Sequence, residues 1–179
     1  MVANMGALPI IASGHLTQGQ RPLMVFDRLA HASLACHKPV VAEETQVETI
    51  RHNDLDALEQ TCCKHPVVAY VCDGVYSMGG FALIEGLLQL QEKYGLFLYI
   101  DCAHGISLFG DNGEGFARSQ LPRELGERTI VAASARLVAC SCLERHIRKR
   151  RFAATQFRMR SVSRQPYRGV IKFTRFPCS

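Results

Sequence analysis

Asp101 and His104 stand three residues apart in "LFLYIDCAHG", where an apolar run ends, and Gly105 follows them. A carboxylate at the end of a strand and an imidazole returning from the next turn can face one ligand. Gly105 lets the backbone fold close there. Ser77, in "DGVYSMGG", follows the preceding apolar run and could reach the same crevice. Together they suit a flat ring with a basic nitrogen and a phenolic oxygen. The carboxylate would hold the ring nitrogen protonated, while the imidazole and the hydroxyl would bond the oxygen. For any single acid the plainer reading, a helix cap after a strand, is the stronger one. For several acids along one edge the site reading gains.

Such groups need a scaffold that brings them together. "LMVFD" (23–27), "PVVAYVCD" (66–73), "LFLYID" (96–101) and "RTIVAAS" (128–134) read as short buried strands. "PVVAEE" (39–44) reads as another, with Pro39 at its start. "NDLDALEQTCCKH" (53–65) reads as a helix with Asn53 as N-cap, and Leu55, Leu58 and Cys62 as its apolar stripe. "ALIEGLLQLQEKYG" (82–95) is the clearest helix, with Leu83, Leu87, Leu88 and Leu90 on its stripe and Gly95 as C-cap. Continuous apolar strands alternating with helices predict an α/β fold with a mainly parallel sheet covered on both faces. Ligands of such sheets bind beyond the carboxyl ends of the strands. Asp27, Asp73, Asp101 and Ser134 all end an apolar run, so they should line up along that edge.

The 179 residues are 47% hydrophobic and 21% charged, the balance of an ordinary globular domain. No stretch approaches the about 18 apolar residues of a membrane-spanning helix. The opening "MVANMGALPIIASG" has no basic flank and does not read as a signal peptide. Of eight cysteines none forms a CxxC pair, and several sit inside apolar runs. They read as reduced core thiols of a cytoplasmic protein without a zinc site. The net charge of +5 hides a split. Residues 1–134 carry nine Lys/Arg against fifteen Asp/Glu, whereas residues 135–179 carry twelve against Glu144 alone. The second segment shows neither a strand nor a helix period.

"DRLAHAS", "RHNDLDALE", "DGVYSMGG", "LQEKYGLFLYIDCAHGISLFGDNGEGFARS" and "RTIVAAS" occur in this order over residues 1–134. In them the chain resembles the α-oxoamine synthase branch of the fold-type-I (class I/II aminotransferase) pyridoxal phosphate enzymes. "DGVYSMGG" and "EKYGLFLYID" look closest to autoinducer synthases, which make aminoketone quorum-sensing signals. The resemblance implies the large cofactor-binding domain of that fold, a transferase joining an amino acid to an acyl-CoA, and a homodimer. It implies pyridoxal phosphate as cofactor, whose protonated pyridine acts as an electron sink. His31, by its residues alone a helix-start position, would stack on the ring. Ser77 and His104 would meet the ring oxygen, Asp101 the pyridine nitrogen, and Ser134 the phosphate.

Three departures from the family's pattern accompany the match. "MVAN" lacks the Gly-aromatic pair that precedes "AN" in the family. Cys102 stands where many members carry a second acid. After Ser134 the family places the Schiff-base lysine, and Leu137 occupies that position here. Leu137 cannot form an imine, so no catalytic residue is assigned and the chain is expected to be inactive. The break coincides with the Arg-rich segment 135–179, which reads as a frameshift product that truncates the family sequence. The other reading, a non-catalytic protein whose basic tail binds nucleic acid, rests on "RHIRKRR" and its electrostatic footprint.

Overall fold

The computed structural model describes residues 2–133. Eleven elements follow one another there. They are α1 (Val2–Ala12), β1 (Leu23–Asp27), α2 (Ala32–Ala35), α3 (Lys38–Glu44), β2 (Val47–Ile50), α4 (Leu55–Lys64), β3 (Val68–Asp73), α5 (Ile84–Tyr94), β4 (Phe97–Asp101), α6 (Phe116–Gln120) and β5 (Thr129–Ala132). The strands form a five-stranded sheet in the order β2-β1-β3-β4-β5, with every neighbouring pair parallel. This is the α/β fold expected from the apolar runs.

β1, β3 and β4 are buried along their whole length, which explains why they read as continuous apolar runs without alternation. The pleat divides their side chains between two cores. Leu23, Val25, Tyr70, Cys72, Leu98 and Ile100 pack with Leu58 of α4 and Leu87 of α5. Met24, Phe26, Ala69, Val71, Phe97 and Tyr99 pack with Leu8 of α1, Leu34 of α2 and Val41 of α3. Cys62, Cys72 and Cys102 are buried in the first core, where loss of solvent pushes the Cys62 thiol up to about 12.

Two sequence expectations change. Residues 39–44 are helical, not a strand, because Pro39 lies in the first turn of α3, where its missing N–H is not needed. The edge strand of this region is β2, directly afterwards. At α4 the cap is Asp54, whose Oδ1 accepts the Ala57 N–H at 3.0 Å. Asn53 instead takes a φ of 55° and donates its side-chain amide to the Phe81 carbonyl. α5 closes as expected at Gly95, with a φ of 70° that glycine adopts without strain.

Leu98, fully buried in the middle of β4, reports on this packing. Leu98→Ala should lower unfolding free energy by about 2–5 kcal/mol, read from the urea midpoint at constant slope.

Candidate functional site

In three parallel strands an aspartate is the last residue, so Asp27, Asp73 and Asp101 all reach the carboxyl edge. Strand parity then separates them. Asp73 and Asp101, paired across β3 and β4, share the face of Val71 and Tyr99, towards α1 and α2. Asp27 shares the face of Val25 and points away from them.

A cavity of about 330 Å³ opens on the α1/α2 side, within the range of small-ligand sites. Ala3, Asn4, His31, Ser33, Asp73, Asp101, Ala103, His104, Ala132 and Ala133 line it. Among the described residues no lysine lines it. Asp101 is 7% exposed. Its Oδ1 accepts the Ala103 N–H at 2.9 Å and its Oδ2 accepts the Asn4 side-chain amide at 3.0 Å. Tyr99 donates its hydroxyl to Asn4 Oδ1 at 2.7 Å. A hydroxyl already giving its proton to Oδ1 leaves the Asn4 NH₂ facing Asp101, so the amide orientation is set by its partners.

His31 is the N-cap of α2, and its Nδ1 accepts the Ser33 N–H at 3.2 Å. Nδ1 also lies 2.9 Å from the Ser33 hydroxyl, so both polar groups of Ser33 hold the ring. The His31 backbone N–H donates to Asp73 Oδ2 at 2.6 Å. The His104 ring meets the His31 ring edge to face, with centroids 5.2 Å apart. Nδ1 of His104 is buried and, among the described residues, has no hydrogen-bond partner. A buried ring nitrogen beside a cavity, without a partner, is a place where a ligand's polar atom fits.

Burial pushes the Asp73 carboxyl up to about 7; the His31 N–H offsets part of this, and the charges of Asp101 and Asp27 add to it. Burial also raises Asp27. There the backbone N–H groups of Asn53 and Leu29, the Tyr70 hydroxyl and His52 together outweigh it, and the net shift is downward. Asp27 is thus a structural anchor joining β1, β3 and the 51–54 turn.

Of the residues singled out in the sequence, the structure brings His31, Asp101 and His104 to one cavity. Ser77 is not among its lining residues. Val75 bridges to Phe81, and the Tyr76 N–H donates to the Gly80 carbonyl, closing a tight turn. Tyr76 is buried against His52 on the far face, and Ser77 is left exposed at the tip. Ser134, Leu137 and segment 135–179 lie outside the described residues. Sequence reasoning passed over Asn4, Ser33 and Asp73 as site residues. Asp73 carried a signal as an acid ending an apolar run, and Asn4 as part of the "AN" motif of the resemblance.

No family model matches the chain. The 8-amino-7-oxononanoate synthase of Geobacter sulfurreducens is 33% identical over 119 residues, 64% of this chain and 28% of that enzyme. A serine palmitoyltransferase of Bacteriovorax stolpii is 35% identical over 123 residues, 64% of this chain and 27% of the relative. A serine palmitoyltransferase from S. paucimobilis, solved with PLP–myriocin bound, superposes with a TM-score of 0.59 at 25% identity. That superposition covers 74% of this chain and 32% of the other. The chain thus spans about a third of the length of these proteins. Its homologues are α-oxoamine synthases, and structural neighbours carry pyridoxal phosphate. Among the described residues no helix is long and apolar enough to cross a membrane.

Two outcomes are expected from this geometry. The Asp73 carboxyl rises from its ordinary 3.8 to about 7, so the folded chain binds more protons in that window. Its contribution to stability is complete below about pH 4 and lost as pH rises through about 7. Urea midpoints should therefore fall between about pH 5 and about pH 8, and Asp73→Asn should flatten the fall. Asn4→Ala leaves the Tyr99 hydroxyl and Asp101 Oδ2 without their partner, and should lower unfolding free energy by about 1–3 kcal/mol.

Proposed function

We propose that the cavity holds the ring of pyridoxal phosphate, and that the chain carries the cofactor-binding core of an α-oxoamine synthase. The observation that carries this reading is the convergence of His31, Asp101 and His104 on one cavity, with a buried His104 Nδ1 that has no partner among the described residues. The donor set suits that group. Asp101, held in place by Asn4 and Ala103, is the carboxyl group that would meet a protonated ring nitrogen. His104 offers a ring nitrogen to a phenolic oxygen. His31, pinned at both its backbone and its Nδ1, presents a flat ring for stacking. Bound there, the cofactor supplies an electron sink for a substrate carbanion.

The parent reaction joins an amino acid to an acyl-CoA, with the enzyme acting as a homodimer. "DGVYSMGG" and "EKYGLFLYID" favour the autoinducer synthases within this branch. The chain as written binds the cofactor without a covalent link and lacks synthase activity, because Leu137 stands where the resemblance calls for lysine. Segment 135–179 is taken as out-of-frame sequence.

The test is a titration of the full chain with pyridoxal phosphate, followed in the visible spectrum. We expect saturable, reversible binding, weakened about tenfold or more by Asp101→Ala. Borohydride treatment should fix no adduct on a lysine. Absence of saturable binding defeats the cofactor reading. A lysine adduct with turnover of an amino acid and an acyl thioester defeats the reading of inactivity.

A further inference from the structure

Among the described residues, Asp73 is the one ionisable group of the cavity for which the reading above gives no role. It is 1% exposed and lies beside Asp101 in the register of β3 and β4. Two carboxylates on neighbouring strands in one apolar pocket repel each other, so such a pair needs a reason to persist. The polar contact of Asp73 is with the backbone of His31, across 42 residues of chain. That contact falls at the residue where the chain leaves β1 and turns into α2.

α2 has only four residues, too short to set its own position. Its start is held from three sides. Ser33 N–H and Oγ lie within 3.2 and 2.9 Å of His31 Nδ1 and fix the ring. The Asn4 amide reaches the Ser33 carbonyl and hydroxyl at a longer 3.4 Å. Asp73 holds the backbone itself at 2.6 Å, the shortest of these bonds. Asp73 is also the bond that ties α2 to the sheet edge carrying Asp101.

We propose that Asp73 is a positioning residue: its carboxyl oxygen anchors the His31 backbone N–H to the end of β3 and so places the His31 ring in the cavity that Asp101 lines, beside His104. The proposal rests on the reading that the cavity takes the cofactor ring. What it requires of Asp73 is an acceptor at that point, not a negative charge. A carboxamide has such an acceptor. An apolar side chain of the same size has none.

The experiment compares Asp73→Asn with Asp73→Leu in the full chain, using Asp73→Ala if the leucine variant fails to fold. The first readout is amide hydrogen exchange at His31 without any cofactor. Losing the acceptor should speed His31 exchange about tenfold relative to the parent, with β3 and β4 core amides unchanged. Asp73→Asn should keep the parent rate within about threefold. The second readout is affinity for pyridoxal phosphate, which should fall about tenfold in Asp73→Leu and stay within about threefold in Asp73→Asn. Unchanged His31 exchange in the acceptorless variant overturns the proposal. So does equal loss of affinity in both variants, which would mean that the charge itself acts on the ligand. If the parent binds no pyridoxal phosphate, the functional reading fails, and the exchange measurement still decides the role of Asp73.

Discussion

A carboxylate taken out of water must be given donors, and the local architecture around the cavity follows from meeting that demand at Asp101. An isolated buried charge is far too unfavourable to persist. Asp101 meets the demand with one donor from its own turn, Ala103, and one from the other end of the chain, Asn4. The second donor draws α1 onto the sheet edge. α1 is apolar along most of its length, and Asn4 is a buried polar residue within it. Its amide is oriented by Tyr99, two residues before Asp101 on the same strand and face. Tyr99, Asn4 and Asp101 therefore form one buried relay, in which each member fixes the next. Both Asp101 oxygens are thereby set before any ligand arrives, which is the condition for a carboxylate that must meet a ring nitrogen squarely.

The same rule of satisfied burial separates three aspartates that look alike in sequence. Asp27 is given four partners and becomes a strut, its carboxylate stabilised below the ordinary range. Asp101 is given two and keeps a face towards the cavity. Asp73 is given the His31 N–H against burial, the neighbouring Asp101 and the charge of Asp27 across the sheet, so it gains a proton near neutrality. Chemistry at this edge is decided by how many donors the fold delivers to each position, since residue type and strand position are shared by all three.

The strands were legible because burial on both faces leaves an unbroken apolar run, and β1, β3 and β4 coincide with such runs. α5 was legible from its stripe and from Gly95, which ends it in the left-handed region. Residues 39–44 resemble a strand in sequence because Val40 and Val41 favour one locally, and Pro39 has an equally good place at a strand start or in the first turn of α3. β2 is only partly buried and made no apolar run to be noticed.

For the site, the family resemblance supplied His31, and the residues alone determined the rest of the chemistry at hand: an acid ending a strand at Asp101, an imidazole three residues later, and a parallel sheet with a polar carboxyl edge. These are local facts, carried by residue type and periodicity. Tertiary structure alone decided which of them meet. It turned Ser77 outward on a tight turn, sent Asp27 to the far face by strand parity, and brought Asn4 97 residues along the chain to Asp101. The physical reason is that a side chain's face follows from the pleat, while its partner follows from which helix packs on that face. A hydrogen bond between residues so far apart leaves no period in the sequence to read.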